Sequence, residues 1–278
     1  MRFIDPHIHL FSQARGNYQW LAADNPPFWP QKAALRRDVS EHELNVPGMQ
    51  GYVHIEAGFD NVRPWREVHW LQQHCRLPMR VIGSVALSSP HFSAQLSALA
   101  TCGQVVGVRD ILDDRAADLL RQPQVRHHLG CLADSNLVFE AQLAITDTAA
   151  VQQLAAVLQR YPRLQVVLNH AGGVADAASF SRQWQTAMRM LSRFKNLAVK
   201  VSGFEMCFRP LNWRELTRTT EFAVQHFGKE RVMLASNFPL ISWQYSYRRY
   251  WQQVAQQLPH AYRDAVVYDN AAHYYRFS

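Results

Sequence analysis

The feature that most constrains the fold of this chain is a run of β-branched and apolar residues that recurs eight times. The runs lie at 2–10, 51–58, 79–87, 104–112, 136–143, 164–172, 197–203 and 231–239. Between them, apolar residues repeat every three or four positions, which indicates helices with one buried face. Two such stripes are Val151, Leu154, Leu158, Tyr161 and Trp184, Met188, Leu191, Phe194. This alternation predicts βα units around a parallel sheet.

Eight βα units in 278 residues close most naturally into a (β/α)₈ barrel, which we expect to form a single domain over 1–278. A doubly wound open sheet has the same local pattern. The polar residues favour the barrel, because they gather at the carboxyl ends of the runs, and in a barrel those ends surround one mouth. They are His7, His9, His54, Glu56, Arg109, Glu140, His170, Lys200, Ser202 and Asn237.

Two parts of the chain fall outside the repeat. Residues 10–50 are too long for an ordinary βα loop and carry several aromatic residues and prolines, so they predict a lid over the mouth. A packing flap without a catalytic task is the alternative interpretation. At the other end, 240–258 predicts the last helix and 268–277 a closing turn with a short helix.

Composition and charge narrow the class of protein. The chain is 48% apolar, and its longest apolar runs are too short to cross a bilayer. Without a recognisable secretory signal, and with four cysteines at no paired spacing, it is expected to be cytoplasmic. The net charge of +7 is dispersed, which favours a small acidic substrate over nucleic acid or a membrane as partner. Formation of a homo-oligomer is left open.

The mouth is predicted to hold three imidazoles. His7 and His9 occupy alternate positions at a strand end, so their side chains share a face. His170 follows another apolar run and precedes two glycines. A His-x-His pair joined by a third histidine from a separate strand is a stronger signal of function than one histidine.

The same alternation assigns directions to other polar residues. Lys200 is expected to point into the barrel, because Val199 and Val201 would then face the helices. His54 and Glu56 share a face, so we expect both to point into the barrel.

Several motifs carry a family resemblance. The stretch FIDPHIHLF resembles the first-strand motif of the amidohydrolase superfamily, and the remainder is similar to its lactonases for pyrone dicarboxylates and sugar acids. The similar stretches are LRRDVSEHEL (35–44), HIEAGFDN…EVHWL (54–71), VVGVRDIL (105–112), VLNHAGG (167–173), VKVSGFEM (199–206), FGKERVMLASNFP (227–239) and DNAAHYYRF (269–277). The resemblance implies a (β/α)₈ barrel that hydrolyses a C–O or C–N bond in a small, often acidic, cyclic substrate.

The resemblance also implies roles for individual residues. His7, His9 and His170 match histidines that bind a divalent metal, here zinc, or grip the carbonyl oxygen of the substrate. Arg109 matches an arginine that pairs with a substrate carboxylate or polar oxygen. We expect Lys200, His54 and Glu56 to line the same substrate site.

One position departs from the family pattern. The motif after the eighth strand commonly reads Ser-Asp-Trp-Pro, whose aspartate takes a proton from the attacking water, but here it reads SNFP with Asn237. A carboxamide orients water but does not accept its proton. Three interpretations follow: zinc activates the water, Glu56 or Glu140 has become the base, or the protein binds a small acid without turning it over.

The working hypothesis is a lactonase-like hydrolase in which water attacks a carbonyl polarised by His7, His9 and His170. Asn237 positions the water and Glu140 transfers protons. The competing enzyme class is a metal-dependent decarboxylase of the same superfamily.

Overall fold

A computed structural model of the protein describes residues 1–173, 180–207 and 210–277. Eight parallel strands form its centre: β1 (Phe3–Ile8), β2 (Met49–Ile55), β3 (Met79–Ser84), β4 (Val105–Ile111), β5 (Val138–Gln142), β6 (Val166–Leu168), β7 (Leu197–Val201) and β8 (Val232–Leu234). They pair in chain order. A parallel bridge joins Ile8 to Phe238, and the backbone N–H of His9 donates to the Phe238 carbonyl at 2.7 Å. The fold is therefore the predicted (β/α)₈ barrel and not an open sheet.

Helices surround the barrel and follow most of the strands. They span Trp65–His74, Phe92–Ala100, Ala116–Arg121, Pro123–Ser135, Thr148–Arg160, Arg182–Leu191, Trp213–Phe227, Tyr247–Gln257, His260–Asp264 and Asn270–Tyr274. Side chains of Asp147, Ser181 and Ser246 accept hydrogen bonds from backbone N–H groups at the starts of three of them. Such caps satisfy donors that a helix start leaves unpaired. The capping residues thus fix where three of the loops at the mouth end and the helices begin.

Both predicted stripes lie against the sheet, but the last residue of each lies beyond its helix. Val151, Leu154 and Leu158 are buried on the helix Thr148–Arg160, whereas Tyr161 follows that helix and packs, partly buried, against the core. The second helix ends at Leu191, so Phe194 is not part of its stripe. Phe194 instead lies in the turn before β7 and packs, partly buried, against the core. The spacing of apolar residues by three and four positions continues past the end of the helix, so the prediction made the helix too long.

The strands separate two apolar cores. Inside the barrel lie Val53, Ile55, Val167, Ala198 and Met233, in contact with residues of the C-terminal segment. The larger core fills the space between sheet and helices. Alternation along β7 follows from this arrangement: Lys200 points inward, and Val199 and Val201 face the helices, as predicted.

The long segment after β1 is anchored at its base and lies across the carboxyl ends of neighbouring strands. Phe11 and Val39 exchange two backbone hydrogen bonds of 3.0 Å, which close the segment into a loop. Trp20 donates from Nε1 to the carbonyl of Ala57 at 2.7 Å, and Trp29 meets Trp243 at a centroid distance of 5.5 Å. The segment thus touches the loops that follow β2 and β8.

Within the described ranges, none of the helices combines the length and the apolar character that crossing a bilayer requires.

At the amino-terminal end of the barrel, Arg231 ties β8 to the turn before β7. Its guanidinium donates to the carbonyls of Ser192, Phe194 and Leu197 at 2.7 to 3.0 Å. Replacement by methionine leaves these acceptors unpaired, so Arg231→Met is expected to lower the free energy of unfolding by about 2 kcal/mol, measured by urea denaturation. The exposed Arg193→Met is the matched control. Equal free energies of unfolding for the two variants would show that the three hydrogen bonds make no net contribution to stability.

Candidate active site

Three histidines from two strand ends form the centre of the mouth. The Nε2 atoms of His7 and His9 are 3.2 Å apart, and the ring centroids of His7 and His170 are 4.8 Å apart. All three residues are buried. Residues more than 160 positions apart thus meet because β1 and β6 open into the same mouth.

A sharp backbone turn places His170. His170, Ala171 and Gly172 directly after β6 have positive φ values of 53°, 50° and 76°. A Cβ atom at Gly172 would lie 2.6 Å from the side chain of Ile145, so glycine is required there for space as well as conformation. The ring of His170 lies against Gly203, where a Cβ atom would come within 2.8 Å of Nδ1. Gly172 and Gly203 therefore leave the space that the turn and the ring of His170 occupy.

Hydrogen bonds restrict the tautomers of the histidines. His9 donates from Nδ1 to the carbonyl of Ile55 at 2.8 Å, which leaves its Nε2 as an acceptor. The adjacent Nε2 of His7 then carries a proton and donates to His9. Nδ1 of His7 is buried and makes no hydrogen bond to another residue that the structure describes. Nδ1 of His170 lies 2.9 Å from the hydroxyl of Ser202, which can donate or accept.

Burial keeps the three imidazoles neutral. It lowers the pKa of His7 and of His9 well below the usual value, with the charges of Lys200 and Arg109 respectively as the next causes. Burial and the charge of Arg109 lower the pKa of His170 to about 3. At neutral pH the cluster therefore offers ring N–H groups and lone pairs without a positive charge of its own.

The charged residues of the mouth form two ion pairs. Lys200 Nζ lies 2.8 Å from both carboxylate oxygens of Glu140, inside the barrel, and the Tyr275 hydroxyl also donates to Glu140. Burial lowers the pKa of Lys200 to about 8, although Glu140 opposes the shift. Arg109 pairs with Glu56 at 2.7 Å. Both glutamates considered as replacement bases are thus held by cations.

The direction predicted for His54 is wrong. Its Nε2 lies 3.0 Å from the carboxylate of Glu67 on the helix Trp65–His74, outside the sheet. Val53 and Ile55 occupy the inward positions of β2 instead. Glu56 reaches Arg109 because it lies beyond the last residue of β2, where strand alternation no longer sets side-chain directions. The structure therefore separates the two residues that the sequence had placed together.

Asn237 contacts a carboxyl group that the sequence analysis missed. The residue has a φ of 55° in the turn after β8, and its Nδ2 donates to Oε1 of Glu205 at 2.5 Å. Glu205 lies in the loop after β7, four residues past the strand end, and both residues are buried. The stretch VKVSGFEM contains Glu205, but it is too far from the strand for alternation to predict its direction.

A second missed carboxyl group joins the first and last strands. Asp5 accepts hydrogen bonds from the hydroxyls of Ser236 and Tyr247 at 2.5 and 3.0 Å and from the backbone N–H of His7 at 3.2 Å. Burial raises the pKa of Asp5 to about 6, and the Ser236 bonds oppose the shift. Asp5 thus holds the start of the SNFP turn against the strand that carries His7 and His9.

Asn169, next to His170, has a buried carboxamide that makes no hydrogen bond to another described residue through either its oxygen or its nitrogen. It lies one residue beyond β6, and its backbone N–H donates to the carbonyl of Ala141 in β5 at 2.9 Å. A buried amide without partners is costly and marks a position for water or a polar ligand. Asn169 lies within the motif VLNHAGG, but no role was predicted for it from the sequence.

The resemblance implies a divalent metal held by the histidines. The 3.2 Å between the Nε2 atoms of His7 and His9 suits two ligands at about 2.0–2.1 Å from a tetrahedral zinc ion. In the ranges 1–173, 180–207 and 210–277, however, no group of three or more His, Cys, Asp or Glu side chains is arranged to hold a metal. As arranged, the donors do not fit a resident zinc ion.

A (β/α)₈ barrel with buried ionisable groups around its carboxyl-terminal mouth defines a class of proteins rich in enzymes. Residues 4–277 match the profile of the amidohydrolase family, so the chain belongs to that family. The resemblance inferred from the motifs is thereby confirmed.

Individual relatives agree with the lactonase branch. The chain is 26% identical to L-fucono-1,5-lactonase of Burkholderia ambifaria, over 98% of this chain and 95% of the relative. An amidohydrolase from Burkholderia multivorans with bound zinc has a TM-score of 0.81 at 19% identity, with full coverage of both chains. A putative 2-pyrone-4,6-dicarboxylic acid hydrolase from Pseudomonas putida has a TM-score of 0.76 at 21% identity, covering 100% of this chain and 98% of its own.

The ion pair inside the barrel predicts a specific pattern of stabilities. Lys200→Met leaves Glu140 buried without its cation, so it is expected to lower the free energy of unfolding by about 3–5 kcal/mol. Adding Glu140→Gln removes the unpaired charge and should recover most of that loss. Urea denaturation of both single variants and the double variant provides the thermodynamic cycle. Additive losses in the double variant would contradict a coupled pair.

Proposed function

We propose that the protein is a hydrolase that opens a small cyclic ester by attack of water on its carbonyl carbon. The oxygen of water forms the new C–O bond, the ring C–O bond breaks, and the proton of water ends on the departing ring oxygen, which becomes a hydroxyl group. The observation that carries the proposal is the meeting of His7, His9 and His170 as neutral imidazoles in one buried cluster at the mouth. Similarity to a lactonase over almost the whole chain supports the type of bond broken. Attack on a carbonyl needs donors aimed at the oxygen, where negative charge develops.

In this proposal His170 polarises the carbonyl. When the Ser202 hydroxyl donates to Nδ1, Nε2 of His170 carries the proton and can donate to the carbonyl oxygen. A neutral imidazole is suited to this task, because it donates without carrying a full charge into a buried site. His7 and His9 complete the cluster and keep the ring of His170 in place through the contact with His7.

The ion pairs bear on the choice of substrate. Arg109 and Lys200, which were assigned to an acidic substrate, already face Glu56 and Glu140. A substrate carboxylate would have to compete with these buried partners. We therefore propose a hydroxylated lactone with little charge, whose hydroxyl groups can form hydrogen bonds with the carboxamide of Asn169 and with the second N–H of Arg109 Nη1, whose first N–H donates to Gln142.

Asn237 is proposed to orient the attacking water, and the segment 10–50 to exclude bulk solvent. Contacts of Trp20 with the β2 loop and of Trp29 with Trp243 in the β8 loop support a covering role. An enclosed site strengthens the hydrogen bonds that act on the carbonyl. The segment also buries Leu21, Leu35 and Leu44 in its own packing, which would make it a rigid cover.

The purified protein is expected to convert L-fucono-1,5-lactone, or a related sugar 1,5-lactone, to the ring-opened acid. His170→Asn should lower kcat/KM by about 100-fold or more, because it removes the donor to the developing oxyanion. The measurement is acid release at constant pH with subtraction of uncatalysed hydrolysis, and the exposed His91→Asn is the control. Carbon dioxide as the product would indicate a decarboxylase. An unchanged rate in His170→Asn would remove the proposed site.

The donor set also predicts how the activity responds to chelation. Because no group of three or more His, Cys, Asp or Glu side chains among the described residues is arranged to hold a metal, the protein should contain zinc well below one ion per chain by elemental analysis. Dialysis against EDTA is expected to change kcat/KM by less than about twofold, since the donors of the site are protein groups. One zinc ion per chain, lost together with activity in His7→Asn and His9→Asn, would contradict this expectation.

A further inference from the structure

Glu205 differs from the other buried glutamates of the described chain. Glu56, Glu67 and Glu140 face Arg109, His54 and Lys200, respectively. No described cation forms an ion pair with Glu205, although it is only 2% exposed. Its carboxyl group instead meets the carboxamide of Asn237. A buried carboxyl group without a cation is costly, and such groups are concentrated at functional sites.

The surroundings hold this contact in place. The backbone of Glu205 forms a single 3-10 turn, Phe204–Met206, entered through Gly203 with a φ of 82°. Gln244 donates to the Glu205 carbonyl at 3.3 Å, and the Leu240 N–H donates to the Asn237 carbonyl at 2.9 Å. The two loops therefore fix both backbones, and the side chains meet between them.

The protonation state of Glu205 depends on that environment. Burial raises its pKa to about 8, the bond from Asn237 opposes the shift, and the charge of Asp5 adds to it. Tyr250 on the helix Tyr247–Gln257 is a further titratable group whose pKa the charge of Glu205 raises. Because both neighbours are acids, neither stabilises the carboxylate, and Glu205 changes its charge near neutral pH.

We propose that Glu205 is a positioning residue for Asn237, and that its carboxyl group decides which end of the Asn237 amide is presented to the attacking water. An ionised carboxylate only accepts hydrogen bonds, so it holds the NH₂ group and leaves Oδ1 on the side away from Glu205. There Oδ1 accepts a hydrogen bond from the attacking water. A protonated carboxyl group can also donate to Oδ1, which allows the amide to turn and present NH₂ instead.

The orientation of the Asn237 amide, and with it the position of the attacking water, therefore depends on pH. In the ionised state the water is held with one hydrogen on Oδ1 and a lone pair available for the carbonyl carbon. In the protonated state an inward NH₂ group competes for that lone pair. This inference rests on the proposed hydrolysis for its effect on rate, but the contact between Glu205 and Asn237 can be tested without any substrate.

The first arm of the test is NMR spectroscopy of the whole protein labelled with ¹⁵N-asparagine, with Asn237→Ala to assign the side-chain amide. In the wild type the Asn237 NH₂ resonances should shift with a midpoint near pH 8. They should not titrate in Glu205→Gln, whose amide keeps the same donors and acceptors at every pH. The exposed Glu230→Gln, which also removes one carboxyl group, should titrate like the wild type.

The second arm is the pH dependence of kcat on the lactone. Between pH 7 and pH 8.5 kcat should rise by about twofold to eightfold, depending on how far the protonated carboxyl group turns the amide. The rise should disappear in Glu205→Gln. Lys200 changes charge in the same pH range, so this variant, and not the midpoint alone, assigns the effect. If Glu205→Gln does not fold, Glu205→Asp, which shortens the reach to Asn237, should reduce the amide shift.

The outcomes separate the two hypotheses. Asn237 resonances that do not respond to pH in the wild type, or that titrate equally in Glu205→Gln, overturn the role of Glu205. A wild-type protein that opens no lactone refutes the proposed function, and the NMR arm then still decides whether Glu205 controls the amide.

Discussion

The closure of the parallel sheet between β1 and β8 is the constraint on which the site depends. The bridge from Ile8 to Phe238 and the bond from His9 to Phe238 align the end of the first strand with the SNFP turn of the last. Asp5 strengthens the same junction through Ser236 and Tyr247. Without closure, His7 and His170 would lie along an open edge, several strands apart. With closure, their rings are 4.8 Å apart.

Burial gives the closed mouth its chemical character. It removes positive charge from the histidines by lowering their pKa values, and it forces the remaining cations, Arg109 and Lys200, into ion pairs. The mouth that results is polar and mostly uncharged, which suits a carbonyl polarised by hydrogen bonds. The same burial makes Glu205 the described glutamate whose charge is least compensated, immediately beside the asparagine that departs from the family pattern.

Local periodicity was sufficient for the architecture and for part of the site. Each of the eight predicted runs overlaps a strand, although β2 begins at Met49, before its run, and alternation correctly directed Lys200 into the barrel. His7, His9 and His170 were expected together and do meet, although their roles stay predictions. The failures occurred where alternation does not apply: Phe194 lies past its helix, Glu205 lies four residues beyond β7, and the partner of His54 is on a helix.

The sequence by itself determined that the chain forms eight βα units of the amidohydrolase family, because strand and helix periods and motif order are local properties of the chain. Only the tertiary structure decided which polar residues neutralise one another, since ion pairs such as Lys200 with Glu140 join residues 60 positions apart through distances set by closure. It also decided that Asn237 faces Glu205, because that contact joins two loops whose paths no strand or helix period specifies.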